Sequence, residues 1–310
     1  MVKQAVEKLK PILEKSDATK SRAGITFSVD NSVIDRFGKL LRCTWSWYSG
    51  SFKKVVNGND LLGITLTIGG MVIPLHLLFC SKQGRANTDK PSLLISMFKC
   101  LKGEFLKEGI DITVFPITMD SWFVSENLKQ ELYKLGFKNI IIAGKGNYTF
   151  EIKEKKQKAS LWKKEIILVS GQWGIDVPSC RVAAVSPTFG NIVLFFYEKN
   201  TTRNYYLMDF SQISLRGAEI WHIWKKHHLI ECFWKTLKST LKIKSMQLQG
   251  NGLYTSLLIK VLSYLLAIRL KKACKGFSKL SITQIMRKIM CEQDLETLLA
   301  EHFHLPILLN

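Results

Sequence analysis

The chain has 310 residues, room for one large domain or two ordinary ones, and its 46% hydrophobic and 23% charged residues exclude a largely disordered protein. A formal net charge of +20 points to a polyanionic partner, nucleic acid before an anionic membrane. Seven cysteines without C-x-x-C spacing exclude a zinc or disulfide framework and fit reduced, buried thiols in a cytoplasmic protein.

Residues 1–24 form a short basic segment with no apolar core, so no secretory signal is present there. From Ile25 the chain alternates, with Ile25, Phe27 and Val29 on one face of a strand and Thr26, Ser28 and Asp30 on the other. Residues 61–79 carry only His76 as a potentially charged group and are long enough to cross a bilayer. Gly69-Gly70 and Pro74 interrupt that run, however, and its β-branched residues favour strands. Two buried strands joined by a Gly-Gly turn are expected, and no membrane span. Leu93, Leu94, Met97, Phe98, Leu101 and Phe105 recur at helical spacing and predict a helix over 92–106. A strand over 112–119, a helix over 125–135 ended by Gly136, and a strand over 140–143 follow.

Between 148 and 215 the helical period gives way to the runs IILVS, RVAAV, NIVLFFY and RNYYLMDF, separated by Gly, Pro, Asn and Lys-rich breaks. This stretch reads as a β-rich insertion between the two halves of one α/β domain, 25–147 and 216–310. The second half predicts helices over 219–241, 253–272 and 282–302, the last opened by a capping box of Ser281 and Gln284. Its stripe of Ile282, Ile285, Ile289, Leu298 and Leu299 either pairs two subunits as a homodimer or packs on its own domain.

Asp30 and Asp120 fall at strand ends, where ligand and metal sites gather in open α/β sheets, and where capping and turn-forming aspartates also occur. On a regular helix Trp224, His227, Glu231 and Lys238 share one stripe, with Lys235 and Lys242 along it. Surface ion pairing accounts for such a stripe, and so does a metal site bordered by phosphate-binding lysines. Hard divalent cations take oxygen ligands, and two of them stabilise both the attacking and the leaving oxygen of an in-line phosphodiester displacement. Trp122 and Trp224 are candidates to stack on an unpaired base, although a place in the core is the first expectation for Trp122, since large aromatics are usually packed.

Four segments together resemble the insertion-sequence DDE transposases of the IS-four type. They are FSVDNSVIDRFGK, the run SWYSGSFKKVVNGNDLLGITLTIGGMVIPLHLLFCSKQG, the segment PITMDSWFVSENLKQELYKLGFKNIIIAGKGN, and the helix bearing Glu231. The likeness covers about residues 25–272. It implies a ribonuclease H-like α/β fold, a mixed sheet flanked by helices, with the β-rich insertion ahead of the third carboxylate. It further implies that Asp30, Asp120 and Glu231 are catalytic and hold two Mg²⁺ (or Mn²⁺), and that the partner is double-stranded DNA at element ends and target.

Around the glutamate the family has Tyr, two residues, Arg, three residues, Glu, six residues, Lys. Here Trp224 and His227 replace Tyr and Arg, while Glu231 and Lys238 match. The resemblance implies that Trp224, His227 and Lys238 meet DNA, with Lys235 and Lys242 as helpers. Only 29 residues precede Asp30, too few for the family's N-terminal DNA-binding region, so the expectation is either a truncated copy or one that recognises its ends differently. Two other readings stay open: a ribonuclease H-like metal nuclease that does not transpose, and a non-catalytic DNA-binding relic.

Overall fold

A computed structural model describes residues 1–15, 24–36, 44–50, 53–83, 87–171, 175–200, 203–245, 251–273 and 275–291. The chain divides into two compact units, Met1–Ser32 with Asp60–Glu231, and Val33–Asn59 with Cys232–Asn310.

The first unit is built on Ile25–Asp35 (β1), whose residues 25–29 are buried on both faces. Trp45–Ser49 (β2) belongs to the second unit and pairs antiparallel with the opening residues of Lys54–Ile68 (β3). Further along, β3 pairs antiparallel with Met71–Phe79 (β4) through the expected Gly69-Gly70 turn. Both glycines have positive φ, 52° and 80°, as the tight hairpin turn that matches strand twist requires. Pro74 is tolerated because the ladder shifts register beside it, between Ile64 and Thr65.

After the short pair Lys82–Gln83 (β5) and Asn87–Thr88 (β6), the helix Lys90–Lys107 covers one face of the sheet. Its Phe98 meets Phe27 edge-on at 5.9 Å and Phe137 at 4.8 Å. The strand expected over 112–119 is shorter. Ile112–Val114 closes as a 3₁₀ turn capped by Asp111, and only Ile117–Met119 (β7) joins the sheet. The helix Glu126–Lys134 is capped by Ser125, whose hydroxyl accepts from the Leu128 amide, and Ile140–Ala143 (β8) follows as expected.

The insertion hangs on β8. It comprises Thr149–Ile152 (β9), Lys155–Lys158 (β10), Ser179–Ser186 (β11), Gly190–Asn200 (β12) and Arg203–Asp209 (β13). The strand order is β10-β9-β11-β12-β13-β8-β7-β1-β3, with β4 on β3. β13 runs antiparallel to β8, whereas β8, β7 and β1 are mutually parallel neighbours. Two details differ from expectation. The helix Ala159–Glu165 lies inside the insertion, and IILVS contributes only an isolated bridge, Val169 to Ser179. Gly144 lets the Tyr206 ring lie on the main chain, where a Cβ would meet it at 2.0 Å. The architecture is α/β as expected, a large mixed sheet flanked by helices with a β-rich insertion before the helix of Glu231.

The continuous helix expected over 219–241 is interrupted. Gly217–Lys225 and His228–Lys235 are separate helices, broken at Lys226-His227, and Thr236–Thr240 winds as a π-helix. In the second unit Asn251–Ala273 is long and apolar enough to cross a membrane by length and composition. It buries Leu253, Leu257, Val261 and Tyr264 and exposes Leu258, Ile259 and Leu262. The last helix is Ile282–Cys291; Ser281 and Gln284 make their reciprocal capping bonds at 3.2 and 2.8 Å. Residues 292–302 of the expected helix, and the side chain of Ile289, lie outside the described residues. Of four described cysteines only Cys80 is buried; Cys100 and Cys232 are exposed, contrary to the expectation of buried thiols.

Candidate active site

Asp30 and Asp120 are brought together by strand register. β1 and β7 pair in parallel with Ser28 opposite Thr118 and Val29 opposite Met119. The next residue in each segment is an aspartate, one place beyond the last paired position, up to which parallel pairing holds the backbones about 4.8 Å apart. Asp30 does not close its strand, as the sequence suggested. β1 runs on to Asp35, and it is the pairing with β7 that stops after Val29, because β7 ends at Met119. One oxygen of each carboxylate accepts a main-chain amide: Asp30 from Asn31 at 2.8 Å and Asp120 from Ser121 at 2.6 Å. Asp120 thereby caps the 3₁₀ turn Ser121–Phe123, so a capping role accompanies any other.

Beneath this pair lies a buried chain of hydroxyls. The Thr118 hydroxyl is 3.2 Å from the Phe27 carbonyl and 3.0 Å from the Ser28 hydroxyl, and the Nδ1 atom of His227 is 3.1 Å from it on the other side. Side chains alternate along a strand, so Ser28 and Asp30 share a face, as do Thr118 and Asp120. Both aspartates therefore stand on the His227 side of the sheet. His227 itself is only 4% exposed and stacks on Trp224, ring centroids 4.6 Å apart at 11°. Burial pushes the imidazole down to about 4, against an opposing pull from Asp120, so it is neutral at physiological pH.

This corrects the expectation for His227. It is not a surface cation facing phosphates, because the break at Lys226-His227 turns the ring inward. Trp224 is half-buried against the cluster formed by Phe195, Tyr197 and Trp221, and its side chain hydrogen-bonds Tyr197. Glu231 is exposed one turn beyond His227, and its charge is felt by the Tyr197 hydroxyl, which burial foremost pushes up to about 12. Lys235 and Lys242 are exposed and Lys238 half-buried; all three belong to the second unit. The break and the π-helix mean that 224, 227, 231 and 238 do not share the regular stripe.

By donor chemistry the Asp30–Asp120 pair fits a hard divalent cation. Among the described residues no group of three or more His, Cys, Asp or Glu side chains is close enough to hold a metal ion. Glu231 is thus not gathered with the two aspartates.

The opposite face of β1 carries a second polar network. Asp60, fully buried, accepts from the Asn31 side chain at 2.8 Å and pairs with Lys90 at 2.5 Å. The Lys90 ammonium lies 5.1 Å from the centre of the Trp122 ring, and Lys145 lies 5.5 Å from it. Trp122 is 60% exposed, so it is not a core residue, and it sits two positions after Asp120. Ser28, Thr118, Asp60, Lys90 and Lys145 did not stand out in the sequence. For the first two a signal was there: each is a polar residue two places before an aspartate, on an otherwise apolar strand.

No family model and no curated protein matches the sequence. Among solved structures the chain is similar to a piggyBac transposase in a synaptic complex with hairpin DNA, at 16% identity and a TM-score of 0.48. That alignment covers 97% of this chain and 62% of the other, so the chain spans less than two thirds of that transposase. It is also similar to the NurA nuclease from Sulfolobus solfataricus, at 10% identity and a TM-score of 0.27, covering 88% of this chain and 96% of the nuclease.

Proposed function

We propose that this chain is the catalytic part of a DDE-type DNA transposase of the insertion-sequence IS-four type, cleaving and joining strands at element ends. The observation that carries the reading is the parallel register that pairs Val29 with Met119, so that Asp30 and Asp120 each come one residue after the last paired position on adjacent strands of the mixed sheet. The charge of +20 supports it, since duplex DNA is the commonest polyanion such a surface meets.

In this reading Asp30, Asp120 and Glu231 would hold two Mg²⁺ (or Mn²⁺) ions between them. Such paired ions, when bound, supply Lewis-acid stabilisation to the attacking and leaving oxygens of an in-line phosphodiester displacement. Water opens the phosphodiester at the element end, and the 3′-hydroxyl so freed attacks a second strand. The exposed Lys235 and Lys242, with Lys238, contact backbone phosphates. Trp122, exposed and flanked by Lys90 and Lys145, offers its ring to an unpaired base.

A second reading, a DNA-binding relic, is favoured by one observation: Glu231 stands apart from the aspartates. Cleavage and strand-joining assays on duplex ends with Mg²⁺ or Mn²⁺ separate the two. The transposase cuts and then joins a pre-cut 3′ end; a nuclease only cuts; a relic does neither and still binds DNA.

A further inference from the structure

We propose that His227 is a positioning residue that sets the register of the Glu231 helix against the strand pair bearing Asp30 and Asp120. The inference rests on the function proposed above, and adds to it the device that holds the third carboxylate.

The argument starts from the break at Lys226-His227. There the main-chain bonds tighten from the α-helical spacing to three-residue ones, Lys226 to Ile223 at 3.2 Å and Leu229 to Lys226 at 3.1 Å among them, so the main chain links the two helices only through a short turn. Near the break the main chain retains the Trp224 carbonyl accepting from the His227 amide at 2.8 Å and the His227 carbonyl accepting from the Ile230 amide at 3.2 Å. Both are local to the turn. The polar contact from this turn to the strand pair is the His227 side chain on Thr118.

That side chain ends a chain of buried polar groups in which every member has a partner. A hydroxyl has one proton, and Thr118 directs it at the Phe27 carbonyl or at Ser28. The Thr118 oxygen then accepts from Nδ1–H of His227, an assignment of the tautomer made from the network. Trp224 stacks on the ring from the preceding helix and limits its rotation. The chain touches each carboxylate-bearing element at a fixed remove: Ser28 two residues before Asp30, Thr118 two before Asp120, His227 four before Glu231. A four-residue separation is about one helical turn, so a shift of the imidazole carries the glutamate with it.

A histidine suits this position where an arginine does not. The guanidinium cannot be neutralised, and burying it here would cost several kcal/mol without a carboxylate partner, whereas a neutral imidazole needs only the hydroxyl. The replacement of Arg by His at this place exchanges a phosphate contact for an internal anchor.

The test uses the full chain with His227→Ala, His227→Asn, which keeps a donor near the Nδ1 position, Thr118→Val and Thr118→Ser. Three quantities are read: Mn²⁺ affinity, amide hydrogen exchange over 228–235 in metal-free protein, and the salt dependence of DNA binding. His227→Ala and Thr118→Val are expected to weaken Mn²⁺ binding by about 10–100-fold, as loss of an outer-shell partner does, and to speed exchange over 228–235. Their salt slope should equal that of the wild type. His227→Asn and Thr118→Ser should recover most of both losses.

The proposal is overturned if folded His227→Ala keeps wild-type Mn²⁺ affinity and wild-type exchange. It is equally overturned if the salt slope falls by about one, the signature of a lost phosphate contact, while metal binding is intact. Should His227→Ala fail to fold, the two Thr118 variants and His227→Asn decide. If Asp120→Asn leaves Mn²⁺ binding unchanged, the metal reading fails, and exchange in the metal-free protein still judges the anchor.

Discussion

The two aspartates and the glutamate are held by different means. Asp30 and Asp120 come directly after paired positions, where the register of Phe27 to Val29 on Ile117 to Met119, with the Phe27 amide donating to the Pro116 carbonyl at 2.9 Å, fixes the level of one strand against the other. Moving either would break a ladder buried on both faces. Glu231 sits on an eight-residue helix beyond a turn, where Ile230 is buried and the imidazole of His227, stacked on Trp224, bonds to Thr118 of the sheet. Main-chain placement rests on a repeated ladder; side-chain placement rests on packing and individual polar contacts. In the proposed site the floor would come from the first and the third carboxylate, the adjustable half, from the second.

The largest effect should come from the half held by the ladder. Asp30→Asn or Asp120→Asn keeps an amide-accepting oxygen, and so the local cap, while removing the charge that would hold metal in the proposed site. Metal-dependent strand cleavage should fall by roughly a thousandfold or more, equivalent to several kcal/mol of transition-state stabilisation, with an unchanged melting temperature. Cleavage at wild-type rate would remove the aspartates from the chemistry.

The adjustable half should show itself in the pH dependence of stability. The folded His227 imidazole is held near pH 4 against an ordinary 6.5. Between those values the unfolded chain takes up a proton that the folded chain refuses. The contribution is therefore fully present above about pH 6.5 and is lost as pH falls through about 4, by up to roughly 3 kcal/mol. Urea denaturation at pH 7 and pH 4.5 should resolve the loss, and His227→Asn should flatten it; an equal slope in both proteins would place the ring in water.

A smaller change is expected from Thr118→Val, which leaves the His227 nitrogen without its hydroxyl. Thermal melts should record a cost of about 1–3 kcal/mol, and a melt identical to the wild type would mean that the chain of hydroxyls holds nothing. Smallest of all, Lys235→Ala and Lys242→Ala touch neither means of placement. Each should lower the salt slope of DNA binding by about 0.9 and leave melting and metal affinity alone; slopes equal to the wild type would take these lysines away from DNA.

The same contrast governs what the sequence made legible. The alternation at Ile25–Asp30, the Gly69-Gly70 hairpin, the helix over 92–106 and the strand at 140–143 all follow from short-range patterning, and the fold has them. Parallel register, which sets Asp30 beside Asp120, is a long-range property; strand ends pointed to it without fixing it. The break at Lys226-His227 was hidden because WHIWKKHHLIECFW keeps helical spacing through the interruption. Periodicity reports which faces are apolar, and it is blind to a buried histidine that bonds to a strand more than a hundred residues earlier in the chain. Trp122 misled for the opposite reason: large aromatics are usually packed, and this one is exposed beside two lysines.

The most direct measurement is anomalous diffraction from crystals of the protein soaked in Mn²⁺. A metal site on the paired strands gives an anomalous peak at coordination distance, about 2.0–2.2 Å, from carboxylate oxygens of both Asp30 and Asp120, with Glu231 drawn toward it or toward a second peak beside it. Saturating Mn²⁺ with no peak at these aspartates, or with peaks only elsewhere, would contradict a metal-dependent strand-cleaving site here.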